Sequence, residues 1–103
     1  MEDRQWSCRD WQAIHDHMPG KPVTLRVTGD CEVANTRYTL RLVRHEPQGI
    51  NPKDLLLDLL ADSEAVGNDV ITVRTPEYVE ETEFEYDTVT VIGYGTTEVQ
   101  CVH

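Results

Sequence analysis

The sequence predicts an all-β domain, a small antiparallel β-sandwich of the immunoglobulin-like kind with at most a short N-terminal helix. Two observations favour this class. Apolar and polar residues alternate with a two-residue period along most of the chain, and turn-forming residues recur about every ten residues. The chain has 103 residues, which suits one domain (1–103) rather than two.

The first twenty residues differ from the rest and are interpreted as an N-terminal cap segment. Ser7 and Asp10 fit a variant of the helix capping box. Apolar residues then recur at three- and four-residue steps, on one face of a helix: Cys8, Trp11, Ile14 and Met18. Pro19-Gly20 ends this pattern, so a short helix is predicted before it.

The next forty residues contain two clear strands and one ambiguous segment. Residues 23–29 alternate, and this strand either turns at Gly29-Asp30 or continues to Val33; residues 37–42 alternate as well. Residues 54–62 fit a strand with every second residue apolar. They also fit a helix capped by Asn51, which gives an α+β alternative with a helix at about 52–66. The strand is favoured by the β pattern on both sides.

The last third of the chain returns to clear alternation. Residues 70–73 are rich in β-branched residues, and Pro76 interrupts that strand or places it at an edge. Residues 78–87 alternate, and Gly93-Tyr94-Gly95 is typical of a hairpin turn before a final strand. These patterns predict the following core: Leu25, Val27, Tyr38, Leu40, Leu42, Leu57, Val73, Phe84, Val89 and Val91.

The chain is strongly acidic, with 19 acidic residues against 9 Lys plus Arg and a formal net charge of −10. Phosphate backbones and anionic membranes repel such a surface, so neither nucleic acid nor a membrane is expected as a partner. No apolar segment resembles a signal peptide or approaches the roughly 20 residues of a membrane-spanning helix. A soluble cytoplasmic protein is expected.

Three cysteines are present: Cys8, Cys31 and Cys101. An odd and sparse set does not make a disulfide framework, so reduced thiols are expected, with Cys31 and Cys101 buried as small apolar residues. A bridge between Cys31 and Cys101 is the alternative if the strands that carry them are neighbours.

Two groups of residues are candidate sites. His15 and His17 could share a metal ion on a strand, but on the predicted helix they lie about 200° apart and cannot. No bound metal and no cofactor are therefore expected, and the two histidines are interpreted as solvated residues beside Trp11 and Ile14. The other group is a row of acidic residues predicted to form an outward-facing interaction surface: Glu81, Glu83, Glu85 and Asp87.

No catalytic motif is recognised, so the favoured function is a non-enzymatic module that binds another protein or assembles through edge strands as a homo-oligomer. The acidic surface favours a basic protein as the partner. The alternative from another class is a small metal-binding protein or metal-dependent enzyme using His15 and His17. A third hypothesis is a protease inhibitor that presents loops 47–53 and 93–97. Asn51-Pro52 and Gly93-Tyr94-Gly95 loosely resemble fragments of two loop motifs of the chagasin-like protease inhibitors. The rest of those motifs and the third loop motif are missing, so the chain is assigned to no family.

Overall fold

The computed structural model describes residues 6–103, which form eight β-strands and no helix. The prediction of an all-β domain is confirmed, and residues 54–62 are a strand, not a helix. The described residues contain no helix that could cross a membrane. The strands are β1 (Ser7–Asp16), β2 (Thr24–Val33), β3 (Tyr38–Arg44), β4 (Asp54–Ser63), β5 (Thr72–Arg74), β6 (Glu77–Glu81), β7 (Thr88–Val91) and β8 (Gly95–Val102).

The strands form one curled sheet that is nearly barrel-shaped. Its order is β3-β4-β7-β8-β1-β2-β5, and β6 pairs with β2 beyond the end of β5. The β1–β8 and β4–β7 pairs are parallel, and all other described pairs are antiparallel. Strand β8 links the two halves, because residues 95–98 pair with β7 and residues 99–102 pair with β1. The buried Pro76 separates β5 from β6, as predicted, since proline has no N–H to give to the ladder.

Side chains, and not a β-ladder, connect the two ends of the sheet. Arg74 of β5 donates from Nε to the carbonyl oxygen of Tyr38 at 3.0 Å and from Nη2 to that of Thr36 at 2.8 Å. Arg44 of β3 reaches Glu80 of β6 at 3.4 Å. A guanidinium has several donors in a fixed plane, so it can satisfy backbone carbonyls that an unpaired edge leaves open.

The core lies inside the curl and is built from the inward residues of β1, β2, β3, β4 and β7. Its buried members are Ala13, Leu25, Val27, Leu42, Leu55, Leu57, Val89 and Val91. The core prediction is wrong for two residues, since Val73 is 48% exposed and Phe84 is 46% exposed. Tyr38 and Leu40 are only half-buried. Strand β5 lies at a sheet edge, and residues 82–87 are not a strand, so the alternation expected there does not continue.

The predicted N-terminal helix is wrong, because residues 7–16 form β1. A β-bulge shifts the register between Arg9 and Gln12, and Asp10 has a φ of 58°. An extra residue in a strand changes which face the following side chains occupy. The inward residues are therefore Cys8 before the bulge and Trp11 after it. This three-residue step imitates the spacing of a helix.

Cys8 and Cys31 are linked by a disulfide, which corrects the expectation of three reduced thiols. The two residues are direct partners in the β1–β2 ladder. Cys101 is an exposed free thiol and does not pair with Cys31. The bulge explains why the pairing was not predicted, since Cys8 was placed on a helix.

Replacing Cys8 with serine is expected to lower the free energy of unfolding by about 2–4 kcal/mol, because the bridge closes a loop with a sequence separation of 23 residues. Urea denaturation measures this loss. The matched control is Cys101→Ser, which removes an exposed thiol and should change stability by less than about 0.5 kcal/mol. Thiol titration of the denatured, unreduced protein should find one reactive thiol per chain, and three would contradict the disulfide.

Candidate metal centre

The centre of the candidate site is His15, a histidine that is only 1% exposed. It lies near the end of β1, on the inward face that also carries Ala13. Its Nε2 atom lies 2.7 Å from the carbonyl oxygen of Thr82, and its Nδ1 atom lies 3.2 Å from Nε2 of His17. Because a carbonyl oxygen can only accept, Nε2 of His15 carries a proton and donates it to Thr82.

Two neighbouring strands place His17 and Cys101 beside this ring. His17 follows His15 by two residues, and the amide of His17 donates to the carbonyl oxygen of Val102 at 2.7 Å, which extends the β1–β8 ladder. Cys101 is the direct partner of His15 in the parallel β1–β8 register. The donor atoms of His15, His17 and Cys101 all lie within 4.8 Å of one another.

This spacing suits one tetrahedral metal ion. Zinc bonds of about 2.0–2.1 Å to nitrogen and 2.3 Å to sulfur place two nitrogen ligands roughly 3.3 Å apart and a nitrogen and a sulfur ligand roughly 3.6 Å apart. The distance between Nδ1 of His15 and Nε2 of His17 is 3.2 Å, which is already in that range. An ion between the three side chains therefore requires only small movements of Cys101, whose side chain is exposed.

The hydrogen bond to Thr82 prepares His15 as a ligand. Histidines that bind a metal usually donate their other ring N–H to a carbonyl or a carboxylate, which fixes the tautomer and the ring orientation. With its proton on Nε2, His15 turns Nδ1 toward Nε2 of His17. The amide of Thr82 is itself fixed, since it donates to the carbonyl oxygen of Val23 at 3.0 Å.

The donor set selects against hard cations. Two imidazoles and a thiolate suit zinc, cobalt or copper(I), whereas calcium and magnesium need oxygen ligands. Asp16, the nearest acid in the sequence, lies on the opposite face of β1 and forms an ion pair with Lys21 at 2.7 Å. The hydrogen bond from Lys21, and then the one from the Met18 amide, hold the pKa of Asp16 below its usual value.

No protein-family model matches the chain, and no curated protein or solved structure was found to be similar to it.

Two of the three ligands, His15 and His17, were candidates from the sequence. They were rejected as a metal pair because a helix was predicted for this segment, and the structure has a strand there. His15 lies near the end of β1 and His17 follows the strand directly, so Nδ1 of His15 and Nε2 of His17 lie 3.2 Å apart, whereas the predicted helix separated them. Cys101 was missed because it lies 86 residues beyond His15 and only the β1–β8 pairing brings them together. One signal was present: Cys101 and His103 have the same two-residue spacing as His15 and His17.

The acidic residues of the second candidate group do not share one strand. Glu81 ends β6, whereas Glu83, Glu85 and Asp87 follow it in a segment without regular structure. All four acidic residues are exposed. Three arginines that could balance this charge have other partners: Arg26 pairs with Glu77, Arg41 pairs with Asp62, and Arg37 bonds to the Tyr38 hydroxyl.

Proposed function

We propose that this protein binds a transition-metal ion of the zinc class through His15, His17 and Cys101. The observation that carries the proposal is the convergence of three donor atoms within 4.8 Å around a buried histidine whose other nitrogen is fixed by a carbonyl. The net charge of −10 adds long-range attraction for a cation. Cys101 loses its proton on binding, and His17 turns an unprotonated Nε2 toward the ion by carrying its proton on Nδ1.

A Cys–His nucleophile is the other chemistry that these residues could perform, and metal binding is preferred for two reasons. Covalent catalysis needs a substrate pocket beside the thiol and donors for the developing charge. A groove of about 390 Å³ lies on the face of β1 opposite to His15, so it is not such a pocket. It is lined by Ile14, Asp16, Lys21, Thr24 and Arg26. In addition, His15 contributes a second nitrogen to the cluster, which a thiol–imidazole pair does not require.

Titration with Co²⁺, a coloured substitute for Zn²⁺, tests the proposal. Protein purified without metal-affinity resin should bind one ion per chain and develop a sulfur-to-cobalt charge-transfer band. Saturating Zn²⁺ should displace Co²⁺ and raise the melting temperature, because an ion present at 100 times its dissociation constant stabilises the folded state by about 2.7 kcal/mol.

The variants Cys101→Ser and His17→Gln separate the site from adventitious binding. Cys101→Ser should remove the charge-transfer band, and His17→Gln should weaken Co²⁺ binding at least about tenfold. His45→Gln is the matched control, since His45 bonds to Asp58 on β4 and lies outside the cluster. Equal Co²⁺ binding by all four proteins, or no binding by the unmodified one, would refute the proposal.

The other expectations from the sequence remain predictions. They are the immunoglobulin-like topology, a protein-binding or assembly role, the acidic interaction surface at 81–87, and the inhibitor loops at 47–53 and 93–97. A cytoplasmic location was expected partly from reduced thiols, whereas the Cys8–Cys31 disulfide is more typical of oxidising compartments.

A further inference from the structure

We infer that His103 is the fourth ligand, so that the site holds its ion in a closed Cys-His₃ set with no position for a substrate. This inference rests on the proposed function and specifies what the site can do. Tetrahedral zinc takes four ligands, and sites with three protein ligands leave one position to water, which is the arrangement of catalytic zinc. The structure places another imidazole, that of His103, next to His17, with the two ring centroids 4.9 Å apart.

The β1–β8 register determines the place of His103. Asp16 pairs with Val102, and the hydrogen bond from the His17 amide to the Val102 carbonyl continues the ladder by one residue. His103 thereby lies beside His17, two residues further along the ladder than the pair formed by His15 and Cys101. Side chains two residues apart on a strand project from the same face, so His103 shares a face with Cys101.

The ring separation is that of two imidazoles bound to one ion. The rings of His17 and His103 are stacked with their centroids 4.9 Å apart and their planes at 24°. Two imidazoles on one tetrahedral ion have ring centroids roughly 5 Å apart, given zinc–nitrogen bonds of about 2.0–2.1 Å. Stacked rings do not direct both nitrogens at one ion, so we infer that the His103 side chain turns out of the stack when the ion binds. Its exposed position permits that rotation.

A fourth protein ligand changes the function of the site as well as its affinity for the ion. An ion with four protein ligands offers no site for an activated water, so it does not support hydrolysis, and it does not bind small anions. The role of such a site is to hold the ion, which joins the ends of β1 and β8, and not to catalyse a reaction at it.

Anion binding to the Co²⁺-loaded protein tests the inference. The unmodified protein should show the intense d–d absorption of four-coordinate tetrahedral cobalt, and azide should leave that spectrum unchanged. His103→Gln should bind Co²⁺ at least about tenfold more weakly and should acquire an azide-sensitive spectrum, because water replaces the lost ligand. His45→Gln should behave as the unmodified protein in both measurements.

Two other results of the Co²⁺ and azide measurements would contradict different proposals. A charge-transfer band together with azide sensitivity in the unmodified protein, unchanged in His103→Gln, would overturn the fourth ligand and leave the three-ligand site in place. Failure of the unmodified protein to bind Co²⁺ at all would overturn both proposals. His103 is exposed at the end of β8, so its replacement leaves the folded core intact, which circular dichroism verifies.

Discussion

Truncation of Leu57 to alanine is expected to lower the free energy of unfolding by about 2–5 kcal/mol, the range for removing a fully buried leucine side chain. Leu57 is completely buried at the centre of β4, and its backbone partners are Arg44 on β3 and Val91 on β7. Neighbours held by ladders on both sides cannot collapse into the cavity, which favours the upper part of that range. Urea denaturation of the two proteins measures the difference.

Leu60→Ala is the matched control, since it makes the same chemical change in the same strand. Leu60 is 37% exposed and lies on the outward face. Its truncation should cost less than about 1 kcal/mol, closer to the range of surface substitutions. Equal losses for the two variants would mean that the inward and outward faces of β4 are assigned incorrectly.

Gly29→Ala is expected to destabilise the protein by about 1–3 kcal/mol or more, although it adds only one methyl group. A Cβ atom at Gly29 would lie 2.2 Å from Cε3, 2.5 Å from Cζ3 and 2.7 Å from Cδ2 of Trp11. The indole is rigid and packs against the core beside the bulge, so it cannot yield as a flexible side chain would. Thermal or urea unfolding measures the loss.

A double-mutant cycle with Trp11→Leu identifies the cause. Trp11→Leu alone should destabilise the protein, because it removes an aromatic ring that packs against the core. In the Trp11→Leu background, Gly29→Ala should cost much less, since the overlapping ring is gone. Additive losses would show that the cost arises elsewhere in β2.

Local alternation was sufficient to predict the strands whose inward residues follow a regular two-residue period. In β2, the inward positions of Leu25 and Val27 are as predicted, and the strand does continue to Val33. Residues 54–62 were correctly predicted as a strand despite good helix-capping residues, because burial of Leu55 and Leu57 outweighs the helical preference of leucine. A hairpin turn was predicted at Gly93-Tyr94-Gly95, and the turn lies one residue earlier, at residues 92–94, where the amide of Tyr94 donates to the carbonyl oxygen of Val91 at 2.9 Å.

Features that depend on distant residues could not be predicted in the same way. The bulge at Asp10 exists because β1 must present Trp11 to the core and pair with β2, and a local pattern cannot reveal such a requirement. The disulfide and the proximity of Cys101 to His15 follow from strand pairings that join the start of the chain to its middle and its end. Half of the candidate site was therefore visible in the sequence as His15 and His17, while the half on β8 required the tertiary structure.

The parallel pairing of β1 with β8 has a mechanical consequence. These are the first and last strands, and they run in the same direction. A force that pulls residue 7 away from residue 102 slides the two strands along each other, so that it loads their evenly spaced hydrogen bonds simultaneously and not one after another. An ion shared by His15 and Cys101 would add a crosslink at the end of that ladder. Pulling residues 7 and 102 apart therefore loads the β1–β8 ladder in shear.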